Sequence, residues 1–116
     1  MKGFFGAVGG KELALAEGER IVREGPANMF RGIESVGGWL WLTDRRLVFR
    51  SHAIALQRGE SAWPLDQIAS AEPAMTMWII PNGLRCTLRD ATSAKFVVTD
   101  RTGWAAAIES ARARAS

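Results

Sequence analysis

Residues 37–49 read GGWLWLTDRRLVF, and apolar side chains alternate on either side of a polar centre. Alternation with a period of two marks a strand with one buried face. Thr43 and Asp44 can bond the backbone that follows them, which favours a turn there. Centring that turn on Asp44 and Arg45 sets Leu42 opposite Leu47 and Leu40 opposite Phe49. Those four side chains then share one face, and that face belongs in a core. Trp41 opposite Val48, and Trp39 opposite Arg50, fall on the other side of the sheet.

Outward from this hairpin the chain reads as short strands followed by one helix. KELALAEGE (residues 11–19) is either a short helix or an irregular lead-in, closed by Gly18. RIVREGPANMFRG reads as a strand interrupted at Gly25–Pro26, because proline removes a ladder donor. A loop is expected from Gly32 to Gly38, and a short strand AWPL ending at Pro64. The stretch from Asp66 to Met75 leads into MTMWII, LRCTL and AKFVV, with turns at PNG and RDAT. Asn82–Gly83 is a strong hairpin signal, because both positions of such a turn favour positive φ. It would pair Ile79 with Cys86 and Met77 with Leu88 on an apolar face. Trp78 with Thr87, and Ile80 with Arg85, would take the opposite face.

The period then changes. Asp100 is placed as an N-cap, and Trp104, Ile108 and Ala111 form one apolar stripe at i, i+4 and i+7. Arg112 and Arg114 lie in the last turn, where the helix dipole favours positive charge. A helix over residues 100–114 follows, and docking Trp104 and Ile108 would contribute roughly 3–6 kcal/mol. Seven or so strands and one helix predict a mainly β fold, a small antiparallel barrel or sandwich capped by that helix.

Composition narrows the function classes. The 116 residues suffice for one domain, read as residues 13–116 with an N-terminal segment 1–12 whose Phe4, Phe5 and Val8 pack on it, on a partner or on a membrane surface. The 15 basic and 12 acidic residues are interspersed, with a net charge of +3 and no basic block, so a nucleic-acid partner is not expected. No stretch approaches the roughly 18 apolar residues of a membrane span, and MKGFFGAVGG is too short for a secretory signal. One cysteine, Cys86, makes no internal disulfide and reads as a small buried hydrophobe.

Catalytic and metal chemistry find little support. His52 is the single histidine, and its neighbour Ser51 points to the opposite face of a strand. One histidine, one cysteine and scattered carboxylates make no metal set. Glu60, Asp66 and Asp90 are explained by turns, and GAVGG lacks the strand and lysine of a phosphate loop. No catalytic residue, metal or cofactor is expected.

LAEGERIVREGPANMFRG, GGWLWLTDRRLVFRS and WPLDQI together resemble the GRAM domain of the pleckstrin-homology-like superfamily, in a small single-domain form of bacterial type. Its pattern falls on Gly38, Leu40, Leu42, Thr43, Arg46, Leu47, Phe49, Pro64, Leu65, Asp66 and Ile68. The resemblance implies a partly open barrel of two near-orthogonal antiparallel sheets, about seven strands, plugged by the C-terminal helix. It also implies a non-catalytic module that binds membrane lipids or proteins. In lipid-binding relatives a basic cluster in the first inter-strand loop holds phosphates; residues 32–38 offer Glu34 and no lysine or arginine.

Two functions stay open. One is peripheral association with anionic lipid at the inner, cytoplasmic face of a membrane, with Arg45, Arg46, Arg50, Arg85 and Arg89 as candidate contacts. The other is protein interaction or self-association into an oligomer through Trp39, Trp41, Val48 and Trp78. Three covers compete for the Trp39/Trp41 face: the N-terminal GFFGAV, a partner or second copy, or a membrane interface. Ordinary solvated charge accounts for the arginines equally well, and Arg50 stacked on Trp39 would need no ligand.

Overall fold

The computed structural model describes residues 12–52, 60–77 and 79–115. Among the described residues seven strands, β1 (Ile21–Arg31), β2 (Glu34–Thr43), β3 (Arg46–Ser51), β4 (Glu60–Pro64), β5 (Ile68–Thr76), β6 (Ile80–Leu88) and β7 (Ser93–Val97), with a short 3-10 turn at Leu65–Gln67 between β4 and β5, precede the α-helix α1 (Arg101–Ala115). They form one antiparallel sheet in the order β4-β3-β2-β1-β7-β6-β5. β1 joins its two halves, pairing with β2 along ten residues of β2 but with β7 only at Asn28 and Met29. The sheet curls around α1, which packs chiefly on β5. α1 starts as its cap chemistry requires: Asp100 Oδ1 accepts from Gly103 N at 3.1 Å.

The β2–β3 hairpin has the expected register, Leu42 with Leu47, Trp41 with Val48, Leu40 with Phe49 and Trp39 with Arg50. Thr43 Oγ1 accepts from the backbone N–H of both Arg45 and Arg46 at 3.0 Å and so closes the turn. Leu40, Leu42, Leu47 and Phe49 join Leu84, Cys86, Phe96, Trp104 and Ile108 in the core. Phe96 packs against Phe49 at 6.0 Å and edge-on to Trp63 at 5.8 Å between ring centres.

Three expectations are corrected. β1 runs unbroken through Gly25–Pro26, where no β7 ladder exists for proline to interrupt; its irregularity lies between Ile21 and Arg23. Residues 34–38 are strand rather than loop, paired with Ala27 to Arg31.

The largest correction concerns the second hairpin. Asn82 and Gly83 lie inside β6, and the chain reverses earlier, between Thr76 and Ile80, with Met77 at φ 52°. Gly83 pairs with Ala74, and a Cβ there would come within 2.9 Å of the Ala74 carbonyl oxygen. Glycine is needed for close approach, not for the turn. Asn82 Oδ1 accepts from Thr76 Oγ1 at 2.6 Å across the same bulge. Cys86 therefore pairs with Ala71 and Ala94, and Arg85 with Glu72, in place of Ile79 and Ile80. Pro73 is tolerated because β5 is an edge strand. Cys86 is buried as expected, and burial, with Glu109 adding to it, pushes its thiol up to about 12. Trp78 and its expected pairing lie outside the described residues.

Candidate functional site

Two apolar surfaces face away from the core, and they are treated differently. The first is the outer face of β2–β3. Trp41 and Val48 are fully buried, yet neither belongs to the core cluster. They face away from the core as the expected register requires, and GFFGAV, one of the three covers considered for this face, lies outside the described residues. Tertiary contacts cover what strand alternation alone turns outward.

That face is gripped by the segment preceding β1. Arg50 donates to the Glu12 carbonyl at 2.9 Å, Arg46 to the Ala14 carbonyl at 2.7 Å, and Arg45 to the Glu17 carbonyl at 3.1 Å. The anchor is Glu19, which accepts from Arg46 Nε at 2.8 Å and from Thr43 Oγ1 at 2.6 Å. Burial by itself would raise the Glu19 carboxyl. Hydrogen bonds from Arg46, Thr43 and the Ala16 backbone outweigh it and hold the group at about 2. The Arg50 guanidinium lies 4.7 Å from the centre of the Trp41 ring, not over its register partner Trp39. Trp39 instead donates its indole N–H to Glu24 at 2.9 Å and is half-buried.

The remaining candidate arginines are likewise engaged within the chain. Arg50 makes two bonds to Glu60, Arg85 pairs with Glu72 at 3.0 Å, and Arg89 donates to the Asp66 carbonyl at 2.6 Å. The five arginines are thus spread over both halves of the sheet and do not converge. His52 is exposed at the end of β3, its backbone N–H bonded to the Gly37 carbonyl. Among the described residues no three His, Cys, Asp or Glu side chains cluster to hold a metal, and no helix is long and apolar enough to cross a membrane.

The second surface is the β5–β6 reversal, whose Met77 and Ile79 the expected register placed on an apolar face with Leu88 and Cys86. Met77 and Ile79 are 79% and 78% exposed, and Met75 and Ile80 are also exposed. Two cations stand behind this tip. Lys95 donates to the Met75 carbonyl and Arg101 to the Ala74 carbonyl, each at 2.8 Å. These bonds use one donor of each side chain, out of three on an ammonium and five on a guanidinium. Glu72 on β5 pairs with Arg85, and Asp100, next to Arg101 in the chain, pairs with Arg23.

No family model and no curated protein matches the chain. Solved structures do. The Vps36 N-terminal PH domain is 18% identical, with a TM-score of 0.72, over 88% of this chain and 85% of that one. The fold is pleckstrin-homology-like. The C-terminal domain of an unknown protein from Leishmania infantum is similar over 84% of this chain and 87% of that one, at 16% identity and a TM-score of 0.71. A DH/PH fragment of PDZRHOGEF, crystallised with human RhoA, matches at 11% identity and a TM-score of 0.64 over 83% of this chain. The chain spans about 29% of the length of that structure. Identities this low concern the fold alone, so a ligand has to be argued from this chain's own residues.

Proposed function

We propose that this pleckstrin-homology-like chain is a GRAM-type, non-catalytic binding module. It associates peripherally with anionic membrane lipid on the cytoplasmic side, and the β5–β6 tip is the part that enters the bilayer. The observation that carries this reading is the exposure of Met75, Met77, Ile79 and Ile80 around one chain reversal, with Lys95 and Arg101 bonded to its carbonyls. A bilayer accepts exposed apolar side chains without shape complementarity. Burying the Met77 and Ile79 side chains in acyl chains is worth roughly 3–6 kcal/mol. Each cation beside an anionic surface adds about 1 kcal/mol. Insertion therefore outweighs electrostatics, and the five arginines first considered as lipid contacts are not needed for it.

Co-sedimentation with vesicles tests this. The 116-residue chain should pellet with phosphatidylcholine vesicles containing phosphatidylserine, and less with phosphatidylcholine alone. Absence of pelleting with either composition at low salt would overturn the reading. Interaction with a protein through the outer face is the second reading, and the grip of Arg45, Arg46 and Arg50 on backbone carbonyls favours it specifically.

A further inference from the structure

The contacts on the outer face of β2–β3 have a pattern of their own. Three arginines from one turn and strand reach three carbonyls of one segment, those of Glu12, Ala14 and Glu17. They read main chain, so the grip does not depend on which side chains the segment carries. An open depression of about 500 Å³ lies beside the segment, lined by Ala14, Leu15, Ala16, Glu19, Arg45, Arg46 and Pro64. On the same face the Trp41 indole N–H is fully buried and has no acceptor. A buried donor left unpaired is costly and calls for a partner.

We propose that this face is a peptide-docking groove, occupied here by the chain's own residues 12–17, and that it accepts an acidic, extended peptide from a partner protein in their place. Charge favours an acidic occupant. The face presents Arg45, Arg46 and Arg50 against Glu19 and Glu60, and the present occupant carries Glu12 and Glu17. An incoming peptide keeps the three carbonyl contacts and brings one further acceptor for Trp41 Nε1. The joint on which the resident segment swings is Gly18. Its φ is +83°, and the backbone turns tightly there, with Glu19 N–H bonded to the Ala16 carbonyl at 3.0 Å.

This proposal is independent of the membrane reading, because it uses another face. The probe is a fluorescent peptide of residues 11–19, KELALAEGE, titrated into the full chain. Binding to the wild type should be saturable but weakened by the resident segment, which lowers the open fraction. Gly18→Val disfavours the left-handed joint, and its Cβ would meet Arg45 Nη2 at 3.1 Å, so the Arg45 hold on the Glu17 carbonyl gives as well while Arg46 and Arg50 are left in place. It should tighten peptide binding roughly tenfold. Adding Arg50→Gln in that background should remove most of the gain, and the Trp41 indole N–H resonance should shift on binding in the Gly18→Val chain.

No saturable binding to either the wild type or Gly18→Val, with dispersed spectra in both, would overturn the proposal. So would binding indifferent to Arg50→Gln, or phosphatidylserine vesicles that compete the peptide off this face. If Gly18→Val fails to fold, the wild-type titration and its indole shift decide alone. Met77→Glu should leave peptide binding unchanged, so a failure here and a failure of the membrane reading remain distinguishable.

Discussion

The β2–β3 face and the β5–β6 tip are both apolar surfaces outside the core, and only one of them is covered. Trp41 and Val48 are fully buried, with the Arg50 guanidinium over the Trp41 ring. Met77 and Ile79 stand almost entirely in solvent. The difference lies in what each surface has beside it. The hairpin face has a buried carboxylate, Glu19, that ties a backbone segment across it. At the tip, Lys95 and Arg101 bond the carbonyls behind the apolar side chains and leave those side chains bare. A covered apolar face contributes to stability, and a bare one is available for binding.

The comparison breaks most sharply at the tip. Met77→Glu combined with Ile79→Glu should lower binding to phosphatidylserine vesicles at least a hundredfold, since roughly 3–6 kcal/mol of insertion is lost. Its urea midpoint should stay within error of the wild type, because both side chains are exposed. A large drop in midpoint would mean that the tip is structural. The covered face should behave in the opposite way. Trp41→Ala is expected to cost about 3–5 kcal/mol of unfolding free energy. Vesicle binding measured well below its melting temperature should not change, and loss of vesicle binding by the folded variant would merge the two surfaces into one.

Acid should loosen the covered face while sparing the tip. The Glu19 carboxyl lies at about 2 in the folded chain against 4.5 ordinarily. The unfolded chain therefore takes up the proton first as pH falls. The stabilisation is complete above 4.5 and is lost as pH falls through 2, about 3 kcal/mol in all. Urea titrations of wild type and Glu19→Gln should diverge above pH 4.5 and converge toward pH 2. Parallel curves over the whole range would mean that Glu19 does not anchor the segment. The smallest effect concerns the cations behind the tip. Lys95→Gln should weaken vesicle binding about fivefold at low salt, a difference that fades as salt is raised. A salt-independent loss would point to the Lys95 bond to Met75, and so to tip shape, as the cause.

How much was legible in the sequence follows the range of the interactions. The β2–β3 register was legible because Thr43, the Asp44–Arg45 turn and the alternating leucines act within a few residues of one another. The helix was legible for the same reason, from Asp100 to the Trp104–Ile108–Ala111 stripe. The second hairpin was not. Asn82–Gly83 carries a strong local turn signal, but Gly83 is held inside β6 by its close approach to Ala74. β5 itself contains Glu72 and Pro73, acceptable only because the strand is an edge. That displacement carried Met77 and Ile79 from an expected apolar face to an exposed tip, and with them the candidate membrane contact.

By itself, then, the sequence determined the mainly β architecture with its capping helix, the first hairpin and the buried, inert character of Cys86. These depend on local periodicity, turn chemistry and capping. Tertiary structure alone decided which outward faces are open. On the covered face, Glu19 and the carbonyls of Glu12, Ala14 and Glu17 meet arginines 27 to 38 residues further on. Exposure of Met77 and Ile79 depends on an edge strand choosing its partner. The first is a meeting of segments distant in the chain, and the second turns on a close backbone approach at Gly83 that overrides a local turn signal, so neither leaves a trace in the spacing of neighbouring residues.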